Sequence, residues 1–286
     1  MADKIYNLYE LGYLDVQQWL KETDVVLVPI GSCEQHGRHL PVSVDGLAAL
    51  QAVERAARKA DVPHTPLIWF GYSPQHLGGP GQGFGTITLR PETYQALLYD
   101  VGRSLIHMGF NKVVFATGHT SNTKVIDGMM RRLRYETGAL PCLFRADSEA
   151  TPALVKELLE NPPEETPGWH GSEIETSTTM AYKESIVHLE RTDKDFTHAP
   201  RWLPQDRFTK QNGSAYVNYR GQDMVYMPMD HREYSDTGLI GNPFHASAEK
   251  GNKILDVVSG YFAAFIGELK QLKVEATNRD YTGGKV

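Results

Sequence analysis

Cysteine is nearly absent from this chain: Cys33 and Cys142 are the only two in 286 residues. That excludes a disulfide framework and leads us to expect a reduced, cytoplasmic protein. An excess of basic charge is also missing. Lys and Arg number 29 against 35 Asp and Glu, a formal net charge of −6. Nucleic-acid binders need a basic surface, so no nucleic-acid partner is expected. Apolar runs such as Val25–Ile30 and Val113–Ala116 are short. They fall far below the roughly 20 residues that span a bilayer as a helix, so no membrane partner is expected either. Met1-Ala2-Asp3-Lys4 lacks the charged-then-apolar plan of a secretory leader. No internal repeat and no linker divides the chain, which reads as one domain over residues 1–286. Hydrophobic residues make up 41% of it, enough for one large core.

What is present is an alternation of β-branched apolar runs with helical patterns. Val25–Ile30, Thr65–Phe70, Lys112–Thr117 and Leu140–Arg145 read as four strands. Asp45–Lys59 reads as a helix with a rough apolar face at Leu47, Leu50, Ala52 and Val53. Pro91 opens a helix that runs to Met108 and stops at Gly109, because proline suits a first turn and glycine a C-terminal cap. Thr123–Thr137 is the next helix, stopped by Gly138. The alternation predicts an α/β layer fold with a mostly parallel sheet. The second half is less regular. Glu160–Gly168 is acidic and proline-rich and reads as a loop or lid, and Ser172–Lys183 reads as a helix. Thr192–Asn242 shows no clear period and suggests short antiparallel strands and loops. Ala246–Leu272 is a long amphipathic helix with Ile254, Val257, Val258, Phe262 and Phe265 on or near one face. The last dozen residues, ending Gly283-Gly284-Lys285-Val286, read as a frayed tail.

Chemistry gathers in three places. Glu34, His36, His39 and Asp45 follow the strand Val25–Ile30. Thr117-Gly118-His119-Thr120-Ser121-Asn122 follows Val113–Ala116. Trp169-His170-Gly171-Ser172-Glu173-Ile174-Glu175 forms the third. Open parallel sheets bind ligands beyond the carboxyl ends of their strands, where the first two clusters are expected to lie. Carboxylates and imidazoles gathered there are the donors that a hydrolytic metal site requires.

Glu34-Gln35-His36-Gly37 with His39-Leu40-Pro41 and Asp45, then Gly118-His119 with Asn122, then His170-Gly171-x-Glu173-x-Glu175-Thr176-Ser177, resemble the creatininase (creatinine amidohydrolase) family. The match covers about the first two thirds of the chain, in order. The resemblance implies a three-layer α/β fold with the sheet between helices, a pair of divalent metal ions (zinc, manganese or iron) and hydrolysis of a small amide or ring substrate. It also implies a homo-oligomer, a hexamer in creatininase itself. It places Glu34 and His119 on one metal, His36 on the other, and Asp45 as the bridge. Creatininase carries a glutamate two residues after the histidine that matches His119, whereas this chain has Ser121. Glu175 is the expected replacement ligand, with Glu173 as the alternative, since residues i and i+2 of a helix point to different faces. His170 resembles the family's catalytic histidine, and His170 or Glu173 is expected to handle protons.

The remaining candidates divide between site and scaffold. His39 either orients a ligand or caps a turn. Cys33 beside His36 could be a thiol nucleophile, but a small residue packed at a strand end is the preferred reading. Gly78-Gly79-Pro80-Gly81-Gln82-Gly83-Phe84-Gly85 lacks the Lys-Ser/Thr ending of a phosphate loop and reads as a substrate-side loop. Ser73, Gln75, His76, Gln82, Thr120, Ser121 and Trp169 are the expected substrate-binding residues, polar enough for a hydroxylated ring. Tyr216–Tyr234, with His231 and Arg232, could wall a pocket or form a subunit contact. The expected reaction is attack by metal-bound hydroxide on a carbonyl of a small cyclic molecule. A ring ketone of an oxidised inositol, of the 3-dehydro-scyllo-inosose type, ranks above a cyclic amide or formamide. The competing reading is a binding protein that uses metal only structurally. Its weakness is a carboxylate-rich donor set, where structural sites favour closed, cysteine-rich shells.

Overall fold

Strands β1 (Val25–Ile30), β2 (Lys112–Thr117) and β3 (Leu140–Arg145) pair in parallel in that order. Val25 lies opposite Lys112, and Lys112 opposite Leu140. Every residue of β1 and β2 is buried, so both sheet faces need cover. Helices α2 (Val44–Ala60) and α7 (Ala248–Gln271) supply it on one face, where Val25, Leu27, Val114 and Ala116 meet Val53, Ala57, Phe262 and Ile266. Helices α3 (Pro91–Met108) and α4 (Thr123–Thr137) cover the other, where Val26, Val28, Val113 and Phe115 meet Leu98, Ile106, Ile126 and Leu133. Period-two alternation along each strand thus feeds two cores and yields the expected three-layer α/β arrangement. This computed structural model describes residues 4–162, 169–209 and 216–281. Most of the Glu160–Gly168 loop and the tail from residue 282 lie outside them. The expected tail is not frayed where it is described: Ala276 is buried and its amide donates to Asn111 Oδ1 (2.9 Å), the Thr277 amide donates to the Thr137 carbonyl (2.8 Å), and Arg279 donates to the Ile106 carbonyl (2.6 Å).

Helices α1 (Tyr13–Glu22) and α5 (Pro152–Val155) are peripheral, while α6 (Glu173–Lys183) packs on α2 and α7. The aperiodic stretch forms a small antiparallel sheet of β4 (Phe208–Thr209), β5 (Tyr216–Tyr219) and β6 (Gln222–Tyr226), with its own core of Leu203, Val217, Met229, Tyr234 and Ile240. Among the described residues no helix is long and apolar enough to cross a membrane.

Two further expectations change. Thr65–Phe70 is not a regular strand. It runs along the free edge of β1 and touches it through bridges at His64–Leu27 and Ile68–Ile30. The break lies where Pro29 and Pro66 both lack an N–H for the ladder. On α7, Val257 and Phe265 are 38% and 37% exposed, while Ile254, Leu255, Val258, Phe262 and Ile266 are buried. The buried line runs i, i+4, i+8, i+12 from Ile254, and Val257 and Phe265 sit beside it.

The layers bring the ends of β1 and β2 beside the first turn of α2. Gly118 makes this possible: a Cβ there would lie 2.1 Å from the Asp45 carbonyl oxygen. Asn122 staples the same corner. Its Nδ2 donates to the Gly31 carbonyl (2.9 Å), and its Oδ1 accepts from the Tyr72 amide (2.9 Å).

Candidate metal centre

A cavity of about 390 Å³ opens beyond the carboxyl ends of the strands. Four of the five expected ligands line its floor, Glu34, Asp45, His119 and Glu175, and His36 lies directly behind them, 3.4 Å from Asp45; all five are buried. Glu34 and His36 come from the loop after β1, Asp45 from the first turn of α2, His119 from the end of β2, and Glu175 from the first turn of α6.

The histidine tautomers follow from their neighbours. His36 Nδ1 lies 3.2 Å from the Glu34 carbonyl oxygen and donates to it, which leaves Nε2 bare. His119 Nε2 donates to the Tyr72 carbonyl at 3.1 Å, which leaves Nδ1 bare. Asp45 stands between these two bare nitrogens, Oδ1 at 3.4 Å from His36 Nε2 and Oδ2 at 3.3 Å from His119 Nδ1. With both imidazoles neutral, lone pairs face lone pairs across both gaps, so each gap needs a proton or a metal ion. Two buried atoms of this group, His36 Nε2 and Asp45 Oδ2, have no hydrogen-bond partner. Two trios with metal-ligand spacing, Glu34/Asp45/His119 and His36/Asp45/Glu175, share Asp45, and Glu34/His36/His170 is a further such trio. Glu175 Oε2 is 3.6 Å from His36 Nε2. The donor set therefore fits two divalent ions with a bridging carboxylate.

The same crowding appears in the acidities of the protein groups alone. Burial favours the neutral forms of Glu34 and Glu175 and raises both carboxyls. Burial would raise Asp45 too, but His36 and His119 hold it below its ordinary value. Burial works against charge on the two imidazoles as well, yet the surrounding carboxylates lift His36 to about 10 and His119 to about 9. Burial and the neighbouring imidazoles push His170 and His76 well below the usual histidine value.

His170 lines the cavity, stacked on His36 at 4.0 Å between ring centroids. Its Nε2 donates to the Gln35 carbonyl (2.6 Å), which turns a bare Nδ1 toward the floor, 3.8 Å from Glu34 Oε1. His76, Thr120, Ser121, Trp169 and Gln75 also line the cavity. His231 joins them, so the pocket-wall alternative holds for that residue.

Besides His36, three expected site residues do not reach the cavity. Glu173 points away from Glu175 into the α6–α7 contact, where it pairs with Lys250 and accepts from the amides of Glu160 (2.8 Å) and Asn161 (2.9 Å). Both carboxylates lie in one helical turn, and their two-residue offset sends them to different faces. Gln82 is exposed and closes its own loop by accepting from the Gly79 amide (3.0 Å), so the glycine-rich loop does not wall the cavity through it. Ser73 is buried behind the floor, 3.1 Å from Ser32 Oγ, which in turn donates to Glu34 Oε2 (3.0 Å). Cys33 bonds the Gly85 carbonyl (3.2 Å) and lies off the cavity, which removes it as a nucleophile there. His39 ties the loops together, with Nε2 at 3.0 Å from the Gly171 carbonyl and 3.1 Å from Thr176 Oγ1.

Two contributors escaped the sequence reading. Ser148 donates to Glu175 Oε1 (2.7 Å) and holds that carboxylate in place. It follows β3 closely, so the strand-end rule that flagged the other clusters would have found it. Gln35 lies inside the first motif yet reads there as an ordinary loop amide.

Comparisons with known proteins identify the family. The family model described as Creatininase, creatinine amidohydrolase, matches residues 9–266. Creatinine amidohydrolase of Pseudomonas putida is 29% identical over 245 residues, covering 82% of this chain and 85% of the relative. 3-dehydro-scyllo-inosose hydrolase of Thermotoga maritima is 24% identical over 262 residues, covering 90% of this chain and 81% of the relative. A solved structure described as manganese creatininase superposes with a TM-score of 0.71 at 26% identity, covering 94% of this chain and all of that one.

Proposed function

The chain belongs to the creatininase family and is a hydrolase, and from that premise we propose that it opens a small cyclic substrate at a dinuclear metal centre. The observation that carries this reading is Asp45 set between two bare, buried imidazole nitrogens. Glu34, Asp45 and His119 would hold one ion, and His36, Asp45 and Glu175 the other. Two divalent ions bound there supply carbonyl polarisation and acidify water near neutral pH.

The protein's own groups do the rest. His170 is neutral at physiological pH and keeps its bare Nδ1 toward the floor. That nitrogen accepts a proton from the attacking water and returns it to the departing atom. Ser148 and the Gly171 amide (2.6 Å from Glu175 Oε2) hold Glu175. Gln75 donates to Ser121 Oγ (2.9 Å), and with Thr120, Lys124 and Glu149 this pair makes a polar wall. Trp169, Tyr226 and Tyr234 contribute aromatic faces to the same cavity.

Hydroxyl-reading polar groups combined with aromatic faces suit a hydroxylated ring. A ring ketone of an oxidised inositol is therefore the preferred substrate. A cyclic amide is the second reading, favoured by the higher identity to the Pseudomonas putida enzyme. Ser121 weighs against creatinine itself. The exposed line Val257, Tyr261 and Phe265 on α7 supports a homo-oligomer.

The test is an activity screen of the manganese- and zinc-loaded protein on oxidised inositols, cyclic amides, formamides and lactones, with water addition read by mass spectrometry. Turnover of the inosose class supports the preferred reading, and turnover confined to cyclic amides replaces it with the second. No water addition to any class overturns the hydrolytic site assignment.

A further inference from the structure

His76, His170 and His231 form another group with metal-ligand spacing. Gln35 decides what this group is for. Its Oε1 accepts from the Gly37 amide (3.1 Å), so its other terminal atom is the NH2 donor. That nitrogen lies 3.0 Å from His231 Nδ1 and 3.4 Å from His76 Nδ1, and the two Nδ1 atoms are 2.9 Å apart. A donor group beside both Nδ1 atoms occupies the place a cation would take. The 2.9 Å contact needs a proton on one of the two Nδ1 atoms; with His231 as that donor, His76 Nδ1 accepts from His231 and Gln35, and His76 carries its own proton on Nε2. That edge faces Glu34 Oε1 at 3.3 Å, and an ionised carboxylate only accepts. The chain segment after His231 is shaped around the same amide. A Cβ at Gly238, whose φ is +79°, would lie 2.0 Å from Gln35 Oε1.

We propose that Gln35 and His76 are positioning residues for the metal ligand Glu34: Gln35 fixes the tautomer of His76, and His76 Nε2–H holds Glu34 Oε1. Ser32 holds the other oxygen, Oε2, at 3.0 Å. Between these two donors the carboxylate plane is locked so that it faces Asp45 and His119. The inference rests on the dinuclear reading above and assigns His76 to ligand support, where the sequence suggested substrate binding. Partners of this kind, one bond removed from the ion, typically change metal affinity by about 10–100-fold.

The test is metal affinity by chelator competition, together with the visible absorption of the cobalt(II)-loaded protein. His76→Leu is expected to weaken the Glu34 ion by about 10–100-fold and to alter the cobalt spectrum. His76→Gln, which keeps an N–H donor, is expected to stay within about threefold of wild type. Gln35→Met preserves volume without the donor and is expected to lose roughly three- to tenfold. It also serves as the informative variant if His76→Leu does not fold. Wild-type affinity and spectrum in the Leu and Met variants overturn the proposal, as does a Gln variant that falls as far as the Leu variant. A wild-type chain that binds no divalent ion overturns the dinuclear reading itself and this inference with it.

Discussion

Replacing Glu173 by alanine separates a structural role from a chemical one. Glu173 is buried, and its carboxylate meets Lys250, itself only 8% exposed, and the amides of Glu160 and Asn161. Removing one partner of a buried pair costs about 3–5 kcal/mol when the other charge is left uncompensated. Lys250 keeps the His245 carbonyl (2.6 Å) and the Glu160 carboxylate (2.6 Å), which puts the pair near the low end, about 3 kcal/mol. The two freed amides add about 1 kcal/mol, since water can reach residue 160. The sum, about 4 kcal/mol, corresponds to a Tm fall of roughly 7 °C for a chain of this size. Glu173→Gln keeps one acceptor and should lose about half as much. The assay is thermal and urea unfolding at saturating divalent metal, with bound metal measured on the folded variants. Reduced stability with the full metal complement is the expected outcome. Unchanged stability with turnover lost by a hundredfold or more would return Glu173 to the chemistry and refute the placement.

Other perturbations probe the floor of the cavity. In Gly118→Ala the new Cβ meets the Asp45 carbonyl oxygen at 2.1 Å, so α2 must shift. The expected result is about 2–3 kcal/mol of lost stability and weakened metal binding, and wild-type values for both would contradict the close approach. Without metal, His36 (about 10) and His119 (about 9) are protonated at neutral pH. Glu34 and Glu175, each raised to about 7, are partly protonated as well. Metal loading should therefore release more than two protons, and affinity should fall as pH falls from about 8 to 6. Calorimetry in buffers of different ionisation enthalpy measures the release, and a pH-independent affinity would contradict the assigned charge states. His119→Ala should remove at least one ion and nearly all turnover while circular dichroism stays native, and unchanged activity would show the ligand mapping to be wrong.

The strands β1, β2 and β3 were legible because both faces of the sheet are covered, which makes each a nearly continuous apolar run. Thr65–Phe70 had the same composition, yet paired prolines interrupt its hydrogen bonding, a property that hydrophobicity does not report. Ligand candidates could be read because they sit directly after strands or in the first turn of a helix. Glu173 and Lys250 could not be paired from sequence, since their contact depends on how α6 crosses α7, 77 residues apart. Gln35, His76 and His231 come from three segments, and His231 lies in a stretch whose irregular backbone carries no period. On α7 the hydrophobic arc is wider than the buried line, so Val257 and Phe265 belonged to the pattern without belonging to the core.

The central claim is that Asp45 bridges two divalent ions held by Glu34, His36, His119 and Glu175. Its most direct test is the metal stoichiometry of the full chain, supplied with manganese or zinc, freed of loose ions and measured by elemental analysis against protein concentration. The account predicts about two ions per chain. A value of one or fewer would contradict it.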